Sequence, residues 1–293
     1  MNSSATDWTR LKGQRRLYLM SDFCQFSLPY SDPGDVAEWV RQGRDHLYVV
    51  RPLRLPSSDG SLRSIWLHGK IGRLLLIWLS TQVVRAKHNS SDPVITLPKS
   101  EAQFKRELGL RDTGGQTNIA NFRRHLQALA GYSMTVSEQH NSGDQHNLSV
   151  ENSMLIDKAD YSWKASGSDT TAQIQLNPAT WQRMKTASIP LDAEIIEVLS
   201  TKGKGQEIDI YAWLSRTVFG LRHDPQAEIT ITWEQLERQF GAQYSRADNF
   251  RQFFKQAFEH VAVFWPGGLH FEWVPRTGLR LMHSRPSVHP KSK

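Results

Sequence analysis

Two stretches of this chain are near copies of one another, and few architectures accommodate that. Residues 104–129, FKRELGLRDTGGQTNIANFRRHLQAL, return in altered form at 236–258. Phe104, Arg106, Leu108 and Gly109 align with Leu236, Arg238, Phe240 and Gly241. The copies rejoin at Asn121-Phe122-Arg123 and Asn249-Phe250-Arg251. Each copy reads as a short amphipathic helix, a glycine-marked turn and a second helix, which is a helix-turn-helix signature.

The first short helix opens at Ser100 and Gln103, the spacing of a capping box, and stops at Gly109. In the helix after it, Ile119, Phe122, Leu126, Leu129 and Ala130 recur at helical spacing, so one stripe is buried and the opposite face is free. Thr117, Asn121 and Arg124 centre on that free face. In the second copy the buried stripe is Ala247, Phe250, Phe254, Ala257, Phe258 and Val261, with Ser245, Asn249 and Gln252 turned away. Amides and guanidinium groups on a free helix face are the chemistry that reads base edges and grips phosphates. The candidate DNA-binding residues are Gln116, Thr117, Asn118, Asn121, Arg123 and Arg124 in the first copy. In the second they are Ser245, Arg246, Asn249, Arg251, Gln252 and Lys255, joined by Arg276 and Arg280 downstream.

A length of 293 residues leaves room for two domains, each with its own core. The net charge of +7 and a sequence pI near 9.5 point to a polyanionic partner. Nucleic acid is favoured over membrane, because no basic amphipathic helix or lipidation motif stands out. Cys24 is the single cysteine, which excludes an intrachain disulfide framework and a cysteine-based zinc site. The first residues lack the apolar core of a secretory signal. The longest apolar run, 74–79, is far short of the roughly 20 residues needed to span a bilayer. A cytoplasmic location is expected.

Along the chain, 1–60 reads as irregular α+β structure, with 47–55 a strand at an edge because of Pro52. Residues 70–87 form a first helix with Ile71, Leu74, Leu75, Trp78, Leu79 and Val83 on one face. A short strand at 94–97 precedes the two repeat helices, and 132–136 and 148–150 flank a polar loop at 139–147 as a long hairpin. The second half repeats the order, with a helix at 208–221, a strand at 228–232, helices at 233–240 and 245–263, and a hairpin through 269–282. Helix, strand, helix, helix and hairpin make a winged helix. The expected fold class is therefore α+β, as tandem winged-helix domains. The expected domains are 1–187, an N-terminal extension plus the first head, and 188–293, the second head with a basic C-terminal arm.

No catalytic chemistry, metal site or cofactor is expected, and the chain does not read as an enzyme. Gly203-Lys204-Gly205 lacks the spacing and hydroxyl of a phosphate-binding loop. No His-x-His supplies a nicking metal, and His140, Asp144 and His146 fall in the polar loop of the first hairpin. Trp78, Trp213 and Trp233 lie on amphipathic helices or their caps, which places them in a core rather than on a platform for single strands.

At 73–85 (RLLLIWLSTQVVR), 104–109, Thr113-Gly114-Gly115, 209–214 (DIYAWL) and 233–241 (WEQLERQFG), the sequence resembles the RepA-type plasmid replication initiators. The likeness runs from about Leu28 to Pro286. Leu67-His68-Gly69 stands where the family has Pro-Tyr-Gly, and Pro98 where it has glycine. The resemblance implies a bacterial initiator that binds directly repeated iterons of double-stranded plasmid origin DNA, opens the duplex and recruits the host initiator and replicative helicase. It also implies monomer–dimer self-association through the first domain. A winged-helix repressor on a palindromic operator is the alternative.

Overall fold

The computed structural model describes residues 16–43, 46–86, 92–110, 116–142, 145–161, 172–201, 203, 205–241 and 247–288. Five strands come first: β1 (Arg16–Met20), β2 (Trp39–Gln42), β3 (His46–Arg51), β4 (Leu53–Pro56) and β5 (Leu62–Ile65). Proline at 52 has no ladder donor, so the run expected as one edge strand is cut in two. β4 leaves to pair with β5, and β3 becomes an interior strand, with β2 on one side and a later hairpin on the other.

Helix α1 (Gly69–Arg85) is enclosed more completely than one apolar face predicts: Leu76 and Ile77 are as buried as Leu75 and Leu79. A helix apolar all round has no solvated side. Two hydroxyls are buried with it because they satisfy β1. Ser80 Oγ accepts from the Met20 amide at 3.2 Å, and Thr81 Oγ1 from the Tyr18 amide at 2.9 Å.

There follow β6 (Val94–Thr96), α2 (Glu101–Glu107), α3 (Gln116–Ala130), β7 (Ser133–Ser142), β8 (Gln145–Met154), β9 (Ile156–Asp160) and β10 (Gln173–Leu176). Ser100 caps α2, accepting from the Gln103 amide at 3.1 Å. The reciprocal half of the box is replaced, since the Gln103 side chain donates to Glu107 at 3.1 Å. The polar stretch expected as a loop is mostly strand, because β7 and β8 stay paired from Ser133↔Met154 to Ser142↔Gln145. Asp144 and the side chains of His140 and His146 lie outside the described residues.

Helix α4 (Pro178–Thr186) starts on Asn177, whose side chain accepts from the amides of Ala179 and Thr180. Next come β11 (Ser188–Asp192) and α5 (Ala193–Ser200), the latter capped by Asp192. β11 returns to pair with β1. Pro190 stands opposite Tyr18, whose amide already points to α1, so the missing proline donor costs no ladder bond.

The chain closes with α6 (Gln206–Leu221), β12 (Glu228–Thr232), α7 (Trp233–Phe240), α8 (Ala247–Val263), β13 (Phe271–Val274) and β14 (Gly278–Met282). Here the capping box at Thr232 and Gln235 is complete. The order helix, strand, helix, helix, hairpin thus occurs twice in an α+β architecture. The sheets differ. In the second half the strand joins its own hairpin, in the order β12-β14-β13, whereas β6 pairs with β10 and the first hairpin extends β3.

One hydrophobic core runs through both halves, from Leu17 to Leu281. Among the described residues, a single fully buried ion pair crosses inside it. Arg73 on α1 meets Asp209 on α6 through two hydrogen bonds, Nε to Oδ1 at 2.7 Å and Nη2 to Oδ2 at 2.6 Å. The remaining donors go to the carbonyls of Leu28, Pro29 and Gly69. Burial raises the Asp209 carboxyl above its ordinary range, and the Arg73 guanidinium works against that rise. Gly205 makes room for this clamp. Its φ of 105° lies in the left-handed region, and a Cβ there would come within 2.4 Å of Arg73 Cδ.

Candidate nucleic-acid interface

Each repeat ends in a helix that is anchored along one side and free along the other. On α8, Phe250, Phe254 and Phe258 are fully buried and Val261 nearly so. Burying each such phenylalanine contributes about 1.5–3 kcal/mol, so the rotation of the helix about its axis is fixed. Asn249, Arg251 and Gln252 are left in solvent. Ser245 and Arg246, and the Ala247 side chain, lie outside the described residues.

Lys255 is half-buried for a specific reason. Trp233 and Trp273 stack with centroids 5.3 Å apart and planes at 11°. The Lys255 ammonium lies 5.5 Å from the first ring and 5.1 Å from the second. The Arg251 guanidinium sits 5.9 Å from Trp233. Cations over tryptophan faces gain about 0.5–1 kcal/mol at exposed sites. Two positive groups are thereby positioned along α8 without being neutralised by the contact.

The hairpin beside this helix carries Arg276 and Arg280, and the two differ. Arg276 is exposed at the turn, with φ 61°. Arg280 faces carboxylates across the sheet, 3.4 Å from Glu272 and 4.0 Å from Glu228.

The α3 face is built likewise on Phe122, Leu126 and Leu129, with Phe122 edge-on to Phe104 at 5.5 Å. Ile119 and Ala130, expected in the stripe, are only partly covered. Asn118, Asn121 and Arg123 are exposed, and the side chains of Gln116 and Thr117 lie outside the described residues. Asn121 and Asn249 hold equivalent positions on their helices, both solvent-facing. The arginines of this face are engaged within the chain. Arg123 pairs with Glu101 at 2.5 Å, and Arg124 with Asp32 at 3.1 Å. The turn 32–34 holds that aspartate in place, its Oδ1 accepting from the Gly34 amide at 3.0 Å.

Below Arg124 is a feature that periodicity did not reveal. His125 is 2% exposed, with Nδ1 2.9 Å from the Asn121 carbonyl and Nε2 3.1 Å from the His68 carbonyl. The His68 ring packs against it at 4.6 Å. Burial pushes His68 down to about 4, and pushes His125 down as well. Set between those two carbonyls, the His125 ring serves as a packed link between α3 and the start of α1. The one hint in sequence is His125 beside the Phe122–Leu126 stripe.

Trp78, Trp213 and Trp233 are buried, as amphipathic spacing predicts. Among the described residues no group of His, Cys, Asp and Glu is arranged to hold a metal ion, and no helix is long and apolar enough to cross a membrane.

An α+β chain that displays two polar, cation-bearing helix faces fits a DNA-binding protein. Residues 67–235, more than half of the sequence, match the family described as plasmid encoded RepA protein. The chain belongs to that family of plasmid replication initiators. In fold it is similar to a crystal structure of a selenomethionine derivative of domains 2 and 3 of RctB. That likeness has a TM-score of 0.54 and 8% identity, covering 89% of this chain and 96% of that one. A second crystal structure of RctB domains 2–3 aligns with a TM-score of 0.48 and 9% identity over 90% and 97% of the two chains. No curated protein matches the sequence.

Proposed function

We propose that this initiator binds directly repeated iterons in double-stranded plasmid origin DNA through tandem winged-helix heads, 1–187 and 188–293. The carrying observation is the equivalent exposure of Asn121 and Asn249 on two helices whose relation one core and the Arg73–Asp209 clamp hold fixed. Reading helices in one chain reach successive major grooves roughly 34–36 Å apart. A carboxamide pairs bidentately with adenine, and Arg251, Lys255 and Arg276 supply phosphate contacts beside it. The proposal extends to opening of the duplex, recruitment of the host initiator and helicase, and self-association through the first domain, for which the family likeness is the support.

Footprinting on the DNA flanking its own gene tests the reading. Protection of tandem direct repeats is expected, and protection of one palindrome would assign the chain to the repressor class instead. Incubation with supercoiled origin DNA and a divalent metal should leave the DNA unnicked.

The Asp32–Arg124 pair gives a sharper result. An ion pair this exposed contributes about 0–1 kcal/mol to stability, so Asp32→Asn should barely move the unfolding midpoint. Freed from its carboxylate, Arg124 should bind DNA more tightly. If it reads a base, the gain is confined to sites with a guanine at one position; a gain on all sequences alike places it on the backbone. Titration against a panel of single-base variants separates the two, and unchanged affinity would remove Arg124 from the interface.

A further inference from the structure

A cavity of about 410 Å³ lies where the N-terminal segment meets α6, β12 and α7. Its apolar wall includes Trp213 and Leu221, and among the described residues lining it Arg216 is the one that carries charge. Among the described residues, Arg216 spends only its Nε–H, on Ser21 Oγ at 3.0 Å. Gln239 lines the same space at 7% exposure.

The cavity also opens on a strand edge. β12 is a terminal strand of its sheet, bonded on one side to β14. The flanking bonds from Trp233 N to Thr277 O and from His283 N to Ala227 O, both 2.9 Å, set the ladder phase. Antiparallel residues bond inward and outward alternately. Odd-numbered residues of β12 therefore bond β14, and the N–H and C=O of Thr230 point outward at the cavity.

We propose that this edge docks an extended acidic peptide segment of a partner protein. One residue of the segment exchanges both backbone hydrogen bonds with Thr230, and its neighbours on the inward side place a carboxylate against Arg216 and an apolar side chain against Trp213 and Leu221. Strand addition takes its affinity from the main chain and its specificity from alternate side chains. The single guanidinium, with the amides of Gln25 and Gln239 around it, selects a carboxylate rather than a second cation. The site does not depend on how the chain binds DNA.

A displayed library of random octapeptides, selected on the full-length protein, tests this. Enriched peptides should carry Asp or Glu two positions from an apolar residue, lose at least tenfold in affinity on Arg216→Ala or Arg216→Gln, and slow amide exchange at 228–232. A synthetic copy N-methylated at its central residue should fail to bind, a measurement independent of any folding defect in the variants. DNA affinity should be unchanged by Arg216→Ala. The proposal is overturned by no enrichment, by enriched peptides without an acid, by equal binding to the variants, or by competition from free glutamate with no protection of β12. That last outcome would mark a small-anion cavity.

Discussion

Asp209→Leu should lower the free energy of unfolding by roughly 3–5 kcal/mol, the usual loss when one partner of a buried ion pair is removed. Arg73 would keep its charge 3% exposed, with three carbonyls and the face of the Tyr30 ring for company. Arg73→Met should cost more, because it strips the Leu28 carbonyl of its donor as well as stranding the carboxylate, while the Pro29 carbonyl keeps the Gly69 amide. Combining the two replacements removes the stranded charge but leaves the Leu28 carbonyl without its donor, worth about 1–3 kcal/mol, so the double variant should recover only part of the loss. Urea unfolding at constant m measures all three. Midpoints within about 1 kcal/mol of the parent would mean that the clamp contributes nothing to holding the halves together.

The second large effect is on DNA. Neutralising Arg251, Lys255 and Arg276 together should flatten the dependence of log K on log salt by about 0.9 per phosphate contact, about 2.7 in all. Specific and random duplexes should weaken alike, since the phosphate backbone carries no base sequence. Arg280→Ala alone should change the slope little, because Glu272 and Glu228 already face that guanidinium. A triple variant that lost only the cognate site, with an unaltered slope, would move these cations from the backbone to the bases.

The repeat, both short helices, the cap at Ser100 and the second hairpin were legible in sequence because each is written in neighbouring residues. Helical spacing likewise exposed Asn121 and Asn249 correctly. What periodicity could not deliver were pairings between distant segments. Arg73 and Asp209 are 136 residues apart, and both fall inside apolar runs where a charge looks incidental. Asp32 sits in a proline–glycine turn with nothing to mark it as the partner of Arg124. The interior position of β3 depends on where β7 lands, and a strand pattern is silent about its neighbours. His125 was passed over because an imidazole on a helix reads as polar until its two carbonyl partners are known.

The antiparallel match of β1 with β11 has a consequence in time. Leu19 faces Ile189 in that ladder, so the partner of the earliest described strand is made some 170 residues later. At about 5–20 residues per second on the ribosome, that is a wait of roughly 10–35 s. Throughout it, α1 can satisfy the Tyr18 and Met20 amides through Thr81 and Ser80, but the opposite edge of the strand stays open. A nascent chain halted before residue 188 therefore exposes an unpaired strand edge, a template for aggregation. Ribosome-bound fragments ending at 187 and at 200 should differ sharply in protease resistance near residue 19.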